Sequence, residues 1–344
     1  MEEADLATLG QTRTRAKTQA RLVGDIGGTH ARFAIADANG RLDHVRVLRC
    51  AQFTDPEQAI RHYLALTGLA LPSAAAFGVA NPVSGDEVVM TNHHWRFSAA
   101  ALRAALGLQR LLLLNDFTAL ALALPLLQVH ERHAVGGGQI VTGAAIGVLG
   151  PGTGLGVSGL VAAAGHYVPL QGEGGHVTLA ARNRREADVI DCLRQHDEHV
   201  SAERVLSGPG LIILHDALRA MAGQPAASLP STEISARAIA STCPYCMEAL
   251  HLFCALLGTV AADLALTLGA RGGVYLGGGI LGQLGRFFTR SAFRQRFEDK
   301  GRFSAYLAQI PTFIIDAPYA ALSGAAIALE SPLCIGYEST ERAQ

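Results

Sequence analysis

Net charge is the first thing this chain does without. Its 28 lysines and arginines stand against 29 aspartates and glutamates, leaving a formal charge of -1. With no basic excess, the sequence carries no electrostatic footprint for nucleic acid or for an anionic membrane. Unbroken apolar runs are also missing: Gly, Pro or a charge interrupts the longest ones, so no membrane span is expected. Residues 1–20 mix Glu, Asp, Thr, Arg and Lys without the apolar stretch of a signal peptide. They are expected to form a flexible extension, too short for a DNA-reading helix-turn-helix. Cysteine is scarce, with six in 344 residues (Cys50, Cys192, Cys243, Cys246, Cys254 and Cys334). That excludes a disulfide scaffold and fits core thiols in a reducing, cytoplasmic setting. A lysine-bearing P-loop, Gly-x-x-x-x-Gly-Lys-Ser/Thr, does not occur, which excludes that class of nucleotide site.

What the chain does have is apolar bulk and glycine. Hydrophobic residues make up 49%, enough for a large core, and the length suits two domains. Two glycine-rich turns lie far apart: Val23-Gly24-Asp25-Ile26-Gly27-Gly28-Thr29 and Leu149-Gly150-Pro151-Gly152-Thr153-Gly154-Leu155-Gly156. Each reads as strand, glycine turn bearing a threonine, strand. Glycines let backbone N–H groups crowd a phosphate, and the threonine hydroxyl adds a donor. One such turn is ordinary hairpin chemistry. Two of them, one with an aspartate placed to steer Mg²⁺, point to a duplicated nucleotide clamp. The second lacks the Gly-x-Gly-x-x-Gly spacing of a dinucleotide fold.

Cys243-Pro244-Tyr245-Cys246 has the form of a dithiol redox motif, with His251 and Cys254 close behind. The pair opens a long apolar helix, and Cys246, His251 and Cys254 do not share one helix face. It is therefore read as packing, with neither zinc nor redox function.

Along the chain, strands are expected at 21–28, 30–36, 45–50, 74–80 and 111–114. Helices are expected at about 56–67, 98–106 and 118–124. The pattern then restarts. Strands fall at 144–149, 155–163, 167–170, 273–276 and 310–315, with helices at 184–196, 209–221, 233–241, 246–268, after 277 and at 320–329. Alternation of this kind implies partly parallel sheets covered by helices, and the restart implies two similar α/β domains with a ligand cleft between them.

Six segments together resemble the bacterial ATP-dependent glucokinases, of the actin/hexokinase-like fold. They are Gly24–Thr29, Asn115-Asp116-Phe117-Thr118-Ala119, Gly152–Gly156, Gly172-Glu173-Gly174-Gly175-His176, Ser201-Ala202-Glu203-Arg204-Val205-Leu206-Ser207-Gly208, and 276–280. The resemblance runs from about residue 21 to about 329. It implies an ATP-dependent hexose kinase acting on the 6-hydroxyl of D-glucose, a homodimer, with no nucleic-acid or membrane partner. A small domain of 21–126 plus about 317–340 and a large one of 127–316 are expected.

The resemblance makes Asp116 the general base. Its position directly after an apolar strand suits that role, though the same position suits a helix N-cap. Asn115, Glu173, His176 and Glu203 correspond to sugar ligands, carboxylates being able to accept two neighbouring hydroxyls. Taken singly, Glu203 reads equally as a first-turn glutamate and His176 as a structural histidine. The phosphate cradle is expected from Gly24, Asp25, Ile26, Gly27, Gly28 and Thr29 facing Gly152, Thr153 and Gly154. Asp25 holds Mg²⁺ through water, and Gly277 and Gly278 lie along adenosine. Two departures stand out: His30 where relatives often carry asparagine, and Pro151 where a smaller residue is usual. Met90-Thr91-Asn92-His93-His94-Trp95 resembles the family without a role that can be assigned, and its histidines read as a loop feature. A kinase of the same fold acting on another hexose or using polyphosphate or ADP, or a sugar-responsive regulator, remains an alternative.

Overall fold

The computed structural model describes residues 20–37, 39–91, 93–163, 165–331 and 336–340. The extension expected at 1–20 therefore lies outside the described residues except for Ala20, as do Ala38, Asn92 and Cys334. Among the described residues, fourteen strands form three sheets. They are β1 Arg21–Ile26, β2 His30–Ala36, β3 Leu42–Arg49, β4 Ala74–Val79, β5 Glu87–Val89, β6 Arg96–Ser98, β7 Arg110–Asn115, β8 Arg132–Ala134, β9 Ile146–Pro151, β10 Leu155–Ala163, β11 His166–Gln171, β12 Val274–Leu276, β13 Thr312–Ile315 and β14 Tyr337–Thr340. The helices are α1 Pro56–Thr67, α2 Ala99–Leu106, α3 Asp116–Ala123, α4 Arg184–Arg194, α5 Ala202–Val205, α6 Gly208–Met221, α7 Ser231–Ile239, α8 Pro244–Leu268, α9 Gly279–Leu284, α10 Arg286–Arg290, α11 Phe293–Glu298, α12 Ser304–Ala308 and α13 Ala320–Glu330.

Both large sheets repeat one topology. The first has the order β14-β7-β4-β1-β2-β3 and the second β11-β10-β9-β12-β13-β8. In the first, β1 pairs antiparallel with β2 and parallel with β4, which runs parallel to β7. In the second, β9 pairs antiparallel with β10 and parallel with β12, which runs parallel to β13. One antiparallel strand closes each parallel edge, β14 on β7 and β8 on β13. The restart expected from the sequence thus appears as two sheets of matching strand order, each completed by an edge strand, β14 or β8, that was not expected.

Local chemistry sets the helix boundaries. Asp55 caps α1 by accepting the Gln58 N–H at 2.8 Å, with Pro56 in the first turn. Ser98 caps α2 in the same way through the Ala101 N–H at 3.0 Å. The sheets meet through a shared apolar cluster in which Ala119 and Leu122 of α3 pack with Leu322 and Ala325 of α13 and with Val148 and Leu160 of the second sheet.

Several elements were not expected: the β5–β6 ribbon, the edge strands β8 and β14, and the short helices α10 to α12. Arg132-His133-Ala134 and Tyr337-Glu338-Ser339-Thr340 have no alternation to mark them, and their pairing comes from the neighbouring strand. The expectation about apolar runs needs correction as well. By length and composition alone α8 could cross a membrane, but 72% of its apolar window is buried within the protein. It is the central helix packed on the second sheet, with Phe253, Leu257 and Ala261 fully covered.

Candidate active site

Strands β1, β4 and β7 run parallel, so their carboxyl ends share one edge of the first sheet, the edge where α/β sheets bind ligands. Asp25 lies near the end of β1, opposite Gly78 of β4, and Asp116 follows β7 directly. A β-carbon on Gly78 would stand 3.3 Å from the Asp116 Cα, so a glycine there lets the two aspartate-bearing segments close up. Gly78 was not picked out from the sequence, where it is one glycine in an apolar strand.

The cap of α3 is Asn115. Its Oδ1 accepts the N–H groups of Phe117 and Thr118 at 2.9 and 3.1 Å. The capping role left open for Asp116 therefore passes to its neighbour, and only the Asn115 amide NH₂ remains for a ligand. Asp116 begins the helix, with Oδ1 accepting the Phe117 N–H at 2.9 Å. Burial, then the charge of Asp25 and to a lesser degree that of Glu173, push its carboxyl up to about 7, against the pull of that N–H. Burial also raises Asp25, opposed by Arg32, whose Nη1 donates to Asp25 Oδ2 at 2.9 Å. The two face each other across the β1–β2 hairpin, so hairpin register was the signal for Arg32 that went unread.

Thr29 and Thr153 stand exposed at the tips of the two glycine hairpins, Thr29 after the half-buried Gly27-Gly28 pair and Thr153 between half-buried Gly152 and Gly154. In the first, the Gly27 N–H is taken by the His30 carbonyl at 3.0 Å, leaving Gly28 and Thr29 as the outward part of the turn. Gly24 and Ile26 do not reach it. Ile26 is fully buried, and a β-carbon on Gly24 would sit 2.7 Å from the Phe77 ring, so this glycine has a packing reason. In the second hairpin the Gly152 N–H closes the turn on the Gly154 carbonyl at 2.8 Å, and the Gly152 carbonyl accepts the Gly208 N–H of α6 at 2.8 Å. Gly278, at φ 87°, lies directly on the Pro151 carbonyl, and the Gly277 N–H donates to Leu149 at 2.9 Å. The element expected along adenosine thus adjoins the second hairpin.

Glu173, His176 and Glu203 come together as a set. His176 Nε2 lies 4.0 Å from Glu173 Oε2 and 3.9 Å from Glu203 Oε1. Glu173 and His176 are more than half exposed, at 54% and 58% of their side chains. Glu203 is more confined: its Oε2 accepts the Leu155 N–H at 2.8 Å and touches Gly154. It therefore does not serve only the dipole of α5, and it borders the second glycine hairpin, which the sequence reading kept apart from the residues expected to hold sugar. The His93–His94 pair sits in a loop, its rings 4.1 Å apart, where His94 Nε2 and Trp95 Nε1 both meet the Phe53 carbonyl at 3.1 Å.

A family model described as glucokinase matches residues 22–332. The glucokinase of Aromatoleum aromaticum is 60% identical over 318 residues, covering 92% of this chain and 96% of that protein. Among solved structures, a glucokinase from an Antarctic psychrotroph superposes with a TM-score of 0.81 at 37% identity, covering 91% of this chain and 99% of its own. A Streptomyces griseus glucokinase of the ROK family, solved with glucose and AMPPNP, shares the fold at TM-score 0.60 and 19% identity, covering 89% and 98%. This chain belongs to the glucokinase family.

Proposed function

We propose that the chain transfers the γ-phosphoryl group of ATP to the 6-hydroxyl of D-glucose, with Asp116 as the general base. One observation carries the assignment: a carboxyl pushed up to about 7 at the carboxyl edge of the parallel strands, beside Asp25 and Glu173. A base titrating near neutrality accepts a proton during the reaction without holding it beforehand. The 6-hydroxyl proton passes to Asp116 as the sugar oxygen bonds to the γ-phosphorus. The bond between that phosphorus and the β–γ bridging oxygen breaks, and its electron pair leaves with ADP.

Glu173, Glu203 and His176 hold sugar hydroxyls, with the Asn115 NH₂ as a donor. The exposure of Glu173 and His176 means that water leaves their site only when the two sheet-bearing bodies, 21–126 with 317–340 and 127–316, close over glucose. Thr29, Gly28, Thr153 and the Gly152–Gly154 turn receive the phosphates, and Gly277–Gly278 the adenosine. The donor set suits Mg²⁺: Asp25 has one oxygen held by Arg32, which leaves Oδ1 to act through water, and Mg²⁺ keeps most of its waters. When bound, that ion neutralises charge on the β- and γ-phosphates. We read the enzyme as Mg²⁺-dependent and cytoplasmic, the first on the Asp25 donor set and the second on the reduced-thiol reading of its cysteines.

A coupled assay tests the reading with glucose, mannose, galactose and fructose against ATP, ADP and polyphosphate. Turnover should require ATP and be fastest with glucose. Equal or faster turnover with polyphosphate would sink the donor assignment, and a faster epimer the sugar assignment.

A further inference from the structure

The Cys243-Pro-Tyr-Cys246 motif takes on a different character in three dimensions. The sequence offered only His251 and Cys254 as further ligands on the same helix. His251 instead packs its ring, tilted by 41°, 5.2 Å from that of Phe287, and the third group comes from another helix. His215, in the middle of α6, brings a ring nitrogen to the two sulfurs, so that one ligand atom from each of the three residues lies within 4.8 Å of the others.

Three features distinguish this cluster from packed thiols. His215 is fully buried, and its Nδ1 meets Asp216 Oδ1 at 3.0 Å. A carboxylate there fixes the proton on Nδ1 and leaves Nε2 as a bare lone pair. That Nε2 is buried without a hydrogen-bond partner. Cys243 is the N-cap of α8, its sulfur accepting the Cys246 N–H at 3.5 Å, which aims that sulfur back over the helix start. Cys246 is sealed at 0% exposure, whereas Cys243 is half-buried and leaves a way in.

We propose that His215, Cys243 and Cys246 form a zinc-type metal site that ties α6 to the start of α8. Two thiolates and an imidazole suit Zn²⁺ above Mg²⁺ or Ca²⁺, and the fourth position is open to water. Tetrahedral bond lengths place zinc-bound sulfurs about 3.7 Å apart, so side-chain rotation is enough to close the cluster. Binding breaks two S–H bonds and releases both protons to the buffer, and the imidazole contributes its existing lone pair. Asp216 is a positioning residue; its other contact, from the Ala227 N–H at 3.3 Å, holds it in place.

The test uses the full chain, reduced and stripped with a chelator, then titrated with Zn²⁺ against a competing chromophore and with Co²⁺. One metal per chain is expected, with a thiolate-to-cobalt charge-transfer band and two protons released per Zn²⁺. Cys243→Ser should lose the band and stoichiometric zinc while keeping glucose phosphorylation within a few-fold, which also certifies its fold. Asp216→Asn should weaken zinc about 10–100-fold without removing either sulfur. The site is overturned if the reduced wild type binds no stoichiometric zinc, or if binding survives both substitutions unchanged. A pair that yields only a Cys243–Cys246 disulfide, with no metal in the reduced state, also overturns it.

Discussion

The ring of Phe117 occupies the space in which a β-carbon on Gly156 would stand, and its Cζ lies 2.9 Å from where one on Gly150 would be. Phe117 follows Asp116 in α3, and the two glycines flank the second hairpin on β9 and β10. The proposed base and the second glycine hairpin are therefore keyed together by one aromatic residue.

Gly156→Ala tests that key. The added methyl overlaps the ring and should cost about 1–3 kcal/mol of stability, as overpacking does. Because α3 must shift to relieve the overlap, kcat should fall with it. Thermal unfolding and steady-state kinetics check the pair; unchanged kcat in a destabilised protein would show that α3 does not transmit the strain to Asp116.

Asp116→Asn keeps the shape of the side chain and removes its basicity. Turnover should fall by about 10²–10⁴-fold with glucose binding nearly intact. Calorimetric titration of glucose beside a coupled assay separates the two. A variant that turns over normally would take the base role away from Asp116.

The pH dependence has two faces. With Asp116 near 7, kcat/KM should decline on the acid side of about pH 7, as the base becomes protonated. Its folded value lies above the ordinary 3.8, so the folded state binds this proton more tightly than the unfolded chain. The associated stability is present below pH 3.8 and is lost as pH rises through about 7. At pH 8 the Asn variant should thus be more stable than the wild type, by up to about 4 kcal/mol at 1.36 kcal/mol per unit, and the two should converge near pH 4. Denaturant melts across that range decide it, and a destabilised Asn variant at pH 8 would contradict the burial argument.

Glu173→Gln and Glu203→Gln should part company. Each should raise the glucose KM about 5- to 150-fold, from roughly 1–3 kcal/mol of unpaired hydroxyl. Only Glu203→Gln should also raise the ATP KM, because Glu203 holds the Leu155 N–H and borders Gly154. Equal ATP effects in both variants would separate Glu203 from the hairpin.

Closure over glucose should appear as a smaller radius of gyration in small-angle scattering. Trp95, the sole indole, is no probe of it: the residue is 1% exposed and its Nε1 donates to the Phe53 carbonyl within the first-sheet unit. A glucose-saturated protein as open as the free one would argue that the sugar site works without closure.

Chemistry written into neighbouring residues was legible in the chain itself. The glycine hairpins, the Asp55 and Ser98 caps, the apolar strand delivering Asn115 and Asp116, and the restart of strands and helices after about residue 126 all follow from local turn, capping and periodicity rules. Tertiary structure decided what depends on distant segments meeting. Leu155 finds the carboxylate of Glu203 48 positions later, β14 pairs with β7, and Phe117 finds Gly156. It also sent the capping role to Asn115, put Glu203 beside the second glycine hairpin, and brought His215 from α6 to the cysteines of α8. The physical reason is that caps and turns are satisfied within a few residues, whereas close packing and buried pairing are settled only when separate elements compete for the same volume.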